Sequence, residues 1–129
     1  MKRLLLPALL CAAMNVQADT PQQVLAGLIT VAGGKALPSQ GEKLFRGKFS
    51  GGKSAESCTA CHSDDPKAVG QHIKTHKAID PIALVAQRDR FSDPAKVEKW
   101  FRRNCPEVLG RACTPQEKAD FVAYMISVK

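Results

Sequence analysis

An all-α fold is predicted by two features of this 129-residue chain. Three times a capping residue is followed directly by proline, at Thr20-Pro21, Asp93-Pro94 and Thr114-Pro115. Such a pair starts a helix, because the cap's oxygen takes a free amide and proline's fixed φ already suits the first turn. Each start is followed by apolar residues at helical spacing, and no strand pattern of comparable strength occurs.

The elements follow in order. Lys2 and Arg3 precede an apolar run from Leu4 to Ala13, and Val16 and Ala18 supply the small residues of a cleavage point. Residues 1–18 therefore read as an export signal, which leaves 19–129 as one domain. The run is too short for a membrane span, and Asn15 and Gln17 interrupt it. Bulky Leu10 before Cys11 argues against a lipid anchor. After Thr20-Pro21, the residues Val24, Leu25, Leu28 and Val31 recur at helical spacing until Gly33-Gly34 stops them. Ser39-Gln40-Gly41-Glu42 has the spacing of a capping box, with a short helix through EKLF behind it. Gly47 to Ser57 is a glycine- and serine-rich loop, and residues 63–90 read as mostly loop with short helical turns. Asp93-Pro94 begins a helix with Val97, Trp100 and Phe101 on one face. Thr114-Pro115-Gln116-Glu117 joins cap, proline and capping box; the helix behind it carries Phe121, Met125 and Val128, flanked by Val122.

Charge and cysteines narrow the chemistry. Lys2 and Arg3 leave with the signal, so the formal charge falls by two from +7, to +5. A modest positive balance in an exported protein points to an acidic protein partner or an anionic ligand. Scattered basic residues, export and the lack of interleaved aromatics argue against nucleic acid. Cys11 also leaves, so Cys58, Cys61, Cys105 and Cys113 remain. Four free thiols would be out of place in an oxidising compartment.

Cys58-Thr59-Ala60-Cys61-His62 resolves part of this. It is the Cys-x-x-Cys-His signature of covalent heme attachment. Two thiols on one helical turn add to the two vinyl groups, and the next residue puts its imidazole under the iron. A thioredoxin-like pair would need a preceding strand in a βαβ frame, and none is visible. A zinc site would need a fourth ligand in a closed tetrahedron. Two thioethers and one disulfide account for all four cysteines. A buried porphyrin would also fill a core that has only five Phe, one Trp and one Tyr to build on.

His62 leaves the opposite face of the iron to be filled. Electron-carrying cytochromes c usually place a methionine there. After the cut only Met125 remains, at core spacing with Phe121 and Val128, so it reads as a packing residue. His72 and His76 would share a face if GQHIKTH is helical. Asn104, in WFRRNC, closes a helix carrying Trp100 and Phe101; it reads either as an iron ligand or as a C-cap. An open iron with water is the remaining alternative.

Three stretches together carry a family resemblance: GEKLF (Gly41–Phe45), Cys58–His62, and RFSDPAKVEKWFRRNCPEVLGRACTPQEKADFVAYM (Arg90–Met125). The mature sequence resembles the sphaeroides heme protein (SHP) family, unusual class I cytochromes c. The resemblance implies a small heme-centred class I fold with its N- and C-terminal helices packed together. It implies that Asn104 ligates the oxidised iron, with a Cys105–Cys113 disulfide beside it. An amide oxygen is a hard, weak donor that ferric iron tolerates and ferrous iron scarcely holds. Reduction would then free Asn104, admit oxygen or nitric oxide, and leave the amide N–H to hydrogen-bond the diatomic. The family further implies electrons from a diheme cytochrome c, with a b-type membrane cytochrome upstream. Whether the protein is an oxygen or nitric oxide oxidoreductase, a sensor or a passive heme-binding module is open at this stage. So is the conventional alternative, a low-spin electron carrier with a Met or His sixth ligand. Supporting roles fall to the Pro81 carbonyl behind the proximal imidazole, to Arg88 and Arg90 on the propionates, and to Trp100 and Phe101 in the heme wall.

Overall fold

The computed structural model describes residues 18–129, so all but the last residue of the export signal lies outside the described region. Among the described residues the elements are α1 (Pro21–Ala32), α2 (Pro38–Arg46), α3 (Thr59–His62), β1 (Gly70–Gln71), β2 (Ala78–Ile79), α4 (Pro94–Leu109) and α5 (Pro115–Ser127). None of the helices is long and apolar enough to cross a membrane.

The three cap-plus-proline starts form as their chemistry requires. Thr20 and Thr114 each close a capping box, with Gln23 and Glu117 reaching back to the cap amides, and Asp93 accepts from Lys96 N at 3.0 Å. Gly33 ends α1 in the left-handed region at φ 73°, a conformation that costs glycine nothing. Val31 is 73% exposed, so the apolar stripe of α1 stops one turn earlier than its spacing implies.

α2 corrects the sequence reading. No capping box forms at Ser39; the helix starts at Pro38, and its N-cap residue Leu37 makes no side-chain cap. The Leu37 amide instead donates to Asp120 Oδ1 on α5 at 2.7 Å. Asp120 is buried but satisfied, since Gln116 Nε2 donates to the same oxygen at 2.8 Å. This bond pins α2 across α5. Phe45, with no exposed surface, then lies between Phe121 and Tyr124, ring centroids 6.4 and 5.9 Å away. Burying such a ring contributes about 1.5–3 kcal/mol. α1 packs on α5 as well, so the N- and C-terminal helices are joined as a class I fold requires.

Two further departures shape the site. Residues 70–79 form a short antiparallel hairpin rather than helical turns, with Gly70 opposite Ile79 and Gln71 opposite Ala78. α4 does not close at Asn104. It runs through Pro106 to Leu109 and ends on Gly110 at φ 73°. Proline so near the C-terminal end sacrifices one bond, to the carbonyl four residues back, and leaves the rest of the turn intact. Cys105 and Cys113 are disulfide-bonded, eight residues apart, which ties α4 to the start of α5. Closing so short a loop stabilises by about 2 kcal/mol.

Candidate heme site

The Cys-x-x-Cys-His stretch is held as one tight turn. The amides of Cys61 and His62 both donate to the Cys58 carbonyl, at 3.2 and 3.0 Å, and Ser57 Oγ accepts from Ala60 N at 3.2 Å. Ser63, at φ 61°, ends the turn. Arg46 fixes its far side by donating to the Asp64 carbonyl at 3.0 Å while its Nη2 approaches Tyr124 Oη at 3.4 Å. Gly70 lets the hairpin lie directly on this turn: a Cβ there would overlap the Cys61 carbonyl and sit 3.0 Å from His62 Cα.

Cys58 and Cys61 are free thiols three positions apart on that turn, while the other two described cysteines are paired. Burial pushes the Cys58 thiol up to about 11, so it is protonated at neutral pH. A buried, protonated thiol is a poor nucleophile and a poor zinc ligand. Among the described residues no three His, Cys, Asp or Glu side chains are grouped to hold a metal ion. His62 is held neutral: burial, helped by the positive charge of Arg90, lowers its pKa to about 4. A neutral imidazole beside two free thiols is the donor set that covalent heme attachment needs.

The distal candidate of the sequence lies on α4. With each residue turning roughly 100°, Val97, Phe101, Asn104 and Val108 fall within roughly 60° of one another. Val97, Phe101 and Val108 are buried, and Phe101 meets Phe121 edge-on at 5.7 Å. Asn104 is exposed at the edge of that apolar stripe, and it lies inside the helix rather than at its C-cap. Trp100, half-buried, stands one turn before it. Two free thiols and a neutral imidazole on one tight turn are the donors that covalently attached heme takes, so the residues present fit heme.

The remaining sequence candidates divide. Met125 is fully buried in the core beside Phe45 and Val122, and its carbonyl accepts from Leu84 N at 3.1 Å. His72 and His76 lie on the hairpin turn, not on a shared helix face. His72 Nδ1 accepts from the amides of Lys74 and Thr75, both at 3.2 Å, and His76 is exposed at φ 56°. Arg88 is exposed and forms no salt bridge among the described residues. Arg90 is the arginine fastened to the site, and it holds the Pro81 carbonyl at 2.9 Å. Its bond to Pro81 was missed because no local pattern announces a side chain that reaches back nine residues.

A Cys-x-x-Cys-His turn with a neutral histidine, on a small helical frame closed by α2 and α5, defines a c-type cytochrome. The comparisons agree. A family model described as a domain of unknown function, DUF1924, matches residues 32–125. Cytochrome c-type protein SHP of Cereibacter sphaeroides is 44% identical over 127 residues, covering 97% of this chain and 98% of that protein. The structure of oxidised SHP, described as an oxygen-binding cytochrome c, matches with a TM-score of 0.82 at 43% identity, over 87% of this chain and 100% of that one. The solution structure of cytochrome c'' from Methylophilus methylotrophus, described in terms of haem-ligand detachment, matches with a TM-score of 0.70 at 32% identity, over 84% of this chain and 93% of that one. The chain belongs to the sphaeroides heme protein family.

Proposed function

We propose that this is an exported, periplasmic monoheme cytochrome c that binds a small diatomic gas, oxygen or nitric oxide, on reduction. The observation that carries this reading is Asn104, an exposed amide at the edge of the apolar face of α4. When bound, heme supplies a redox-active iron with an exchangeable coordination position. Cys58 and Cys61 would hold it by thioethers, and His62 would ligate its iron. Asn104 would offer its amide oxygen to the oxidised iron, a bond that ferrous iron scarcely holds, and its freed N–H would be a hydrogen-bond donor for a small gas. Trp100 and Phe101 wall the heme and limit water. Arg88 stays a propionate partner from the surface. A relative described in terms of haem-ligand detachment supports a removable distal ligand. Electrons come from a diheme cytochrome c, with a b-type membrane cytochrome upstream.

The acid behaviour follows from His62. Burial, helped by the charge of Arg90, lowers its pKa to about 4, so the imidazole is neutral and able to ligate throughout about pH 5–7. The asparagine amide does not titrate in this range. The ferric spectrum is therefore expected to hold from about pH 7 to pH 5, as followed by acid titration of the loaded protein. A ligand change near pH 6 would point instead to a distal histidine. The direct test of gas binding is the reduced spectrum with and without carbon monoxide. High-spin ferrous bands that shift at once on adding the gas are expected. Low-spin bands that ignore it would mean a firm sixth ligand and an electron carrier.

A further inference from the structure

The loop that leads from α2 into the heme turn is fastened midway to the last turn of α4. The amides of Ser54 and Ala55 both donate to the Glu107 carbonyl, at 3.1 and 3.3 Å. That carbonyl is among the last four of the helix, which have no helical amide of their own. Ser54 Oγ donates to the Glu107 carboxylate, and Lys74 Nζ, from the hairpin, donates to Ser54 Oγ at 2.9 Å. Two glycines let the backbones touch. A Cβ on Gly52 would overlap the Val108 carbonyl, and one on Gly51 would lie 2.9 Å from the Leu109 carbonyl. Cys58 follows three residues after Ala55, and the buried Ser57 between them accepts from Ala60 N inside the heme turn. α4 has a weak point beside this strap. Pro106 has no N–H for the Arg102 carbonyl, so the turn that carries Asn104 lacks one of its own bonds.

We propose that Ser54 and Glu107 are positioning residues for Asn104. This rests on Asn104 as the ligand of the ferric iron. Residues 51–57 hold the last turn of α4 against the chain entering Cys58, and so set the reach of the Asn104 amide to an iron held through Cys58 and Cys61. The route is continuous. Three residues of backbone join Cys58 to Ala55, hydrogen bonds join Ser54 and Ala55 to Glu107, and one helical turn joins Glu107 to Asn104. An amide oxygen bonds iron too weakly to drag its helix into place. Its hold on the ferric iron therefore depends on being kept within reach beforehand. A looser strap favours any ligand that competes with it.

The test is imidazole binding to the ferric, covalently loaded protein, followed by its absorption spectrum, since imidazole must displace Asn104. Ser54→Ala removes the hydroxyl between Glu107 and Lys74 without changing charge. It should tighten imidazole binding about fivefold, the equivalent of one hydrogen bond. Glu107→Ala should do the same, while Glu107→Gln keeps an acceptor for Ser54 and should stay near wild type. Amide exchange at Ala55, followed by NMR, should quicken in both alanine variants and not in Glu107→Gln. In an Asn104→Ala background, Ser54→Ala should add nothing to the imidazole affinity. Unchanged affinity in Ser54→Ala would by itself overturn the proposal. So would a Ser54→Ala effect that survives without Asn104, or a Glu107→Gln variant that behaves as Glu107→Ala, which would make Glu107 an electrostatic group. Imidazole affinity left unchanged by Asn104→Ala alone would instead refute the ligation reading, separately from the strap.

Discussion

Gly41→Ala is expected to destabilise the native fold severely and lower its urea midpoint. A Cβ at Gly41 would overlap the Asp120 carbonyl and lie 2.8 Å from Tyr124 Cβ. The first obstacle is backbone of the facing helix, which has no rotamer to yield. α2 would have to lift off α5, withdrawing Phe45 from its place between Phe121 and Tyr124 and breaking the Leu37–Asp120 bond. Overpacking of this kind costs about 3 kcal/mol or more, a large share of the about 5–15 kcal/mol that holds a domain together. Gly27 is the contrast. A Cβ there has nothing within 4 Å, so Gly27→Ala should stabilise α1 by up to about 1 kcal/mol. Urea midpoints of the loaded proteins measure both. A Gly41→Ala midpoint equal to wild type would contradict the packing described.

The second large effect concerns attachment. Cys58→Ser with Cys61→Ser is expected to abolish covalent heme, leaving any residual heme extractable by acidified organic solvent. The two thiols are the free cysteines of the described chain, and no other donor on the turn can form a thioether. Each single variant keeps one bond and should stay unextractable. The pyridine hemochrome spectrum reads the same change through the vinyl groups. Heme that remains covalent in the double variant would overturn the assignment of the site.

The legible parts of this protein were those encoded over a few neighbouring residues. Thr20-Pro21, Asp93-Pro94 and Thr114-Pro115 start their helices with groups no more than three positions apart, and the heme turn spans Cys58 to His62. What failed depended on distance. The start of α2 follows from Asp120, 83 residues away from Leu37, so a plausible local box at Ser39 misled. Asn104 reads as a C-cap because asparagine commonly ends helices, yet α4 runs on through Pro106 to Leu109. The hairpin at Gly70 and Ile79 has strands two residues long, too short for any alternation to show. Arg90 joins two adjacent carbonyls and an indole from two other segments, which no spacing rule encodes.

The central claim is that Asn104 holds the oxidised iron and releases the reduced one. Its most direct test is the visible spectrum of Asn104→Ala beside wild type, ferric and ferrous, each with carbon monoxide added to the reduced form. The ferric spectrum should change as the amide is lost, while the ferrous and carbon monoxide spectra stay close to wild type. A ferric spectrum identical to wild type would contradict the account and leave the distal position to another ligand.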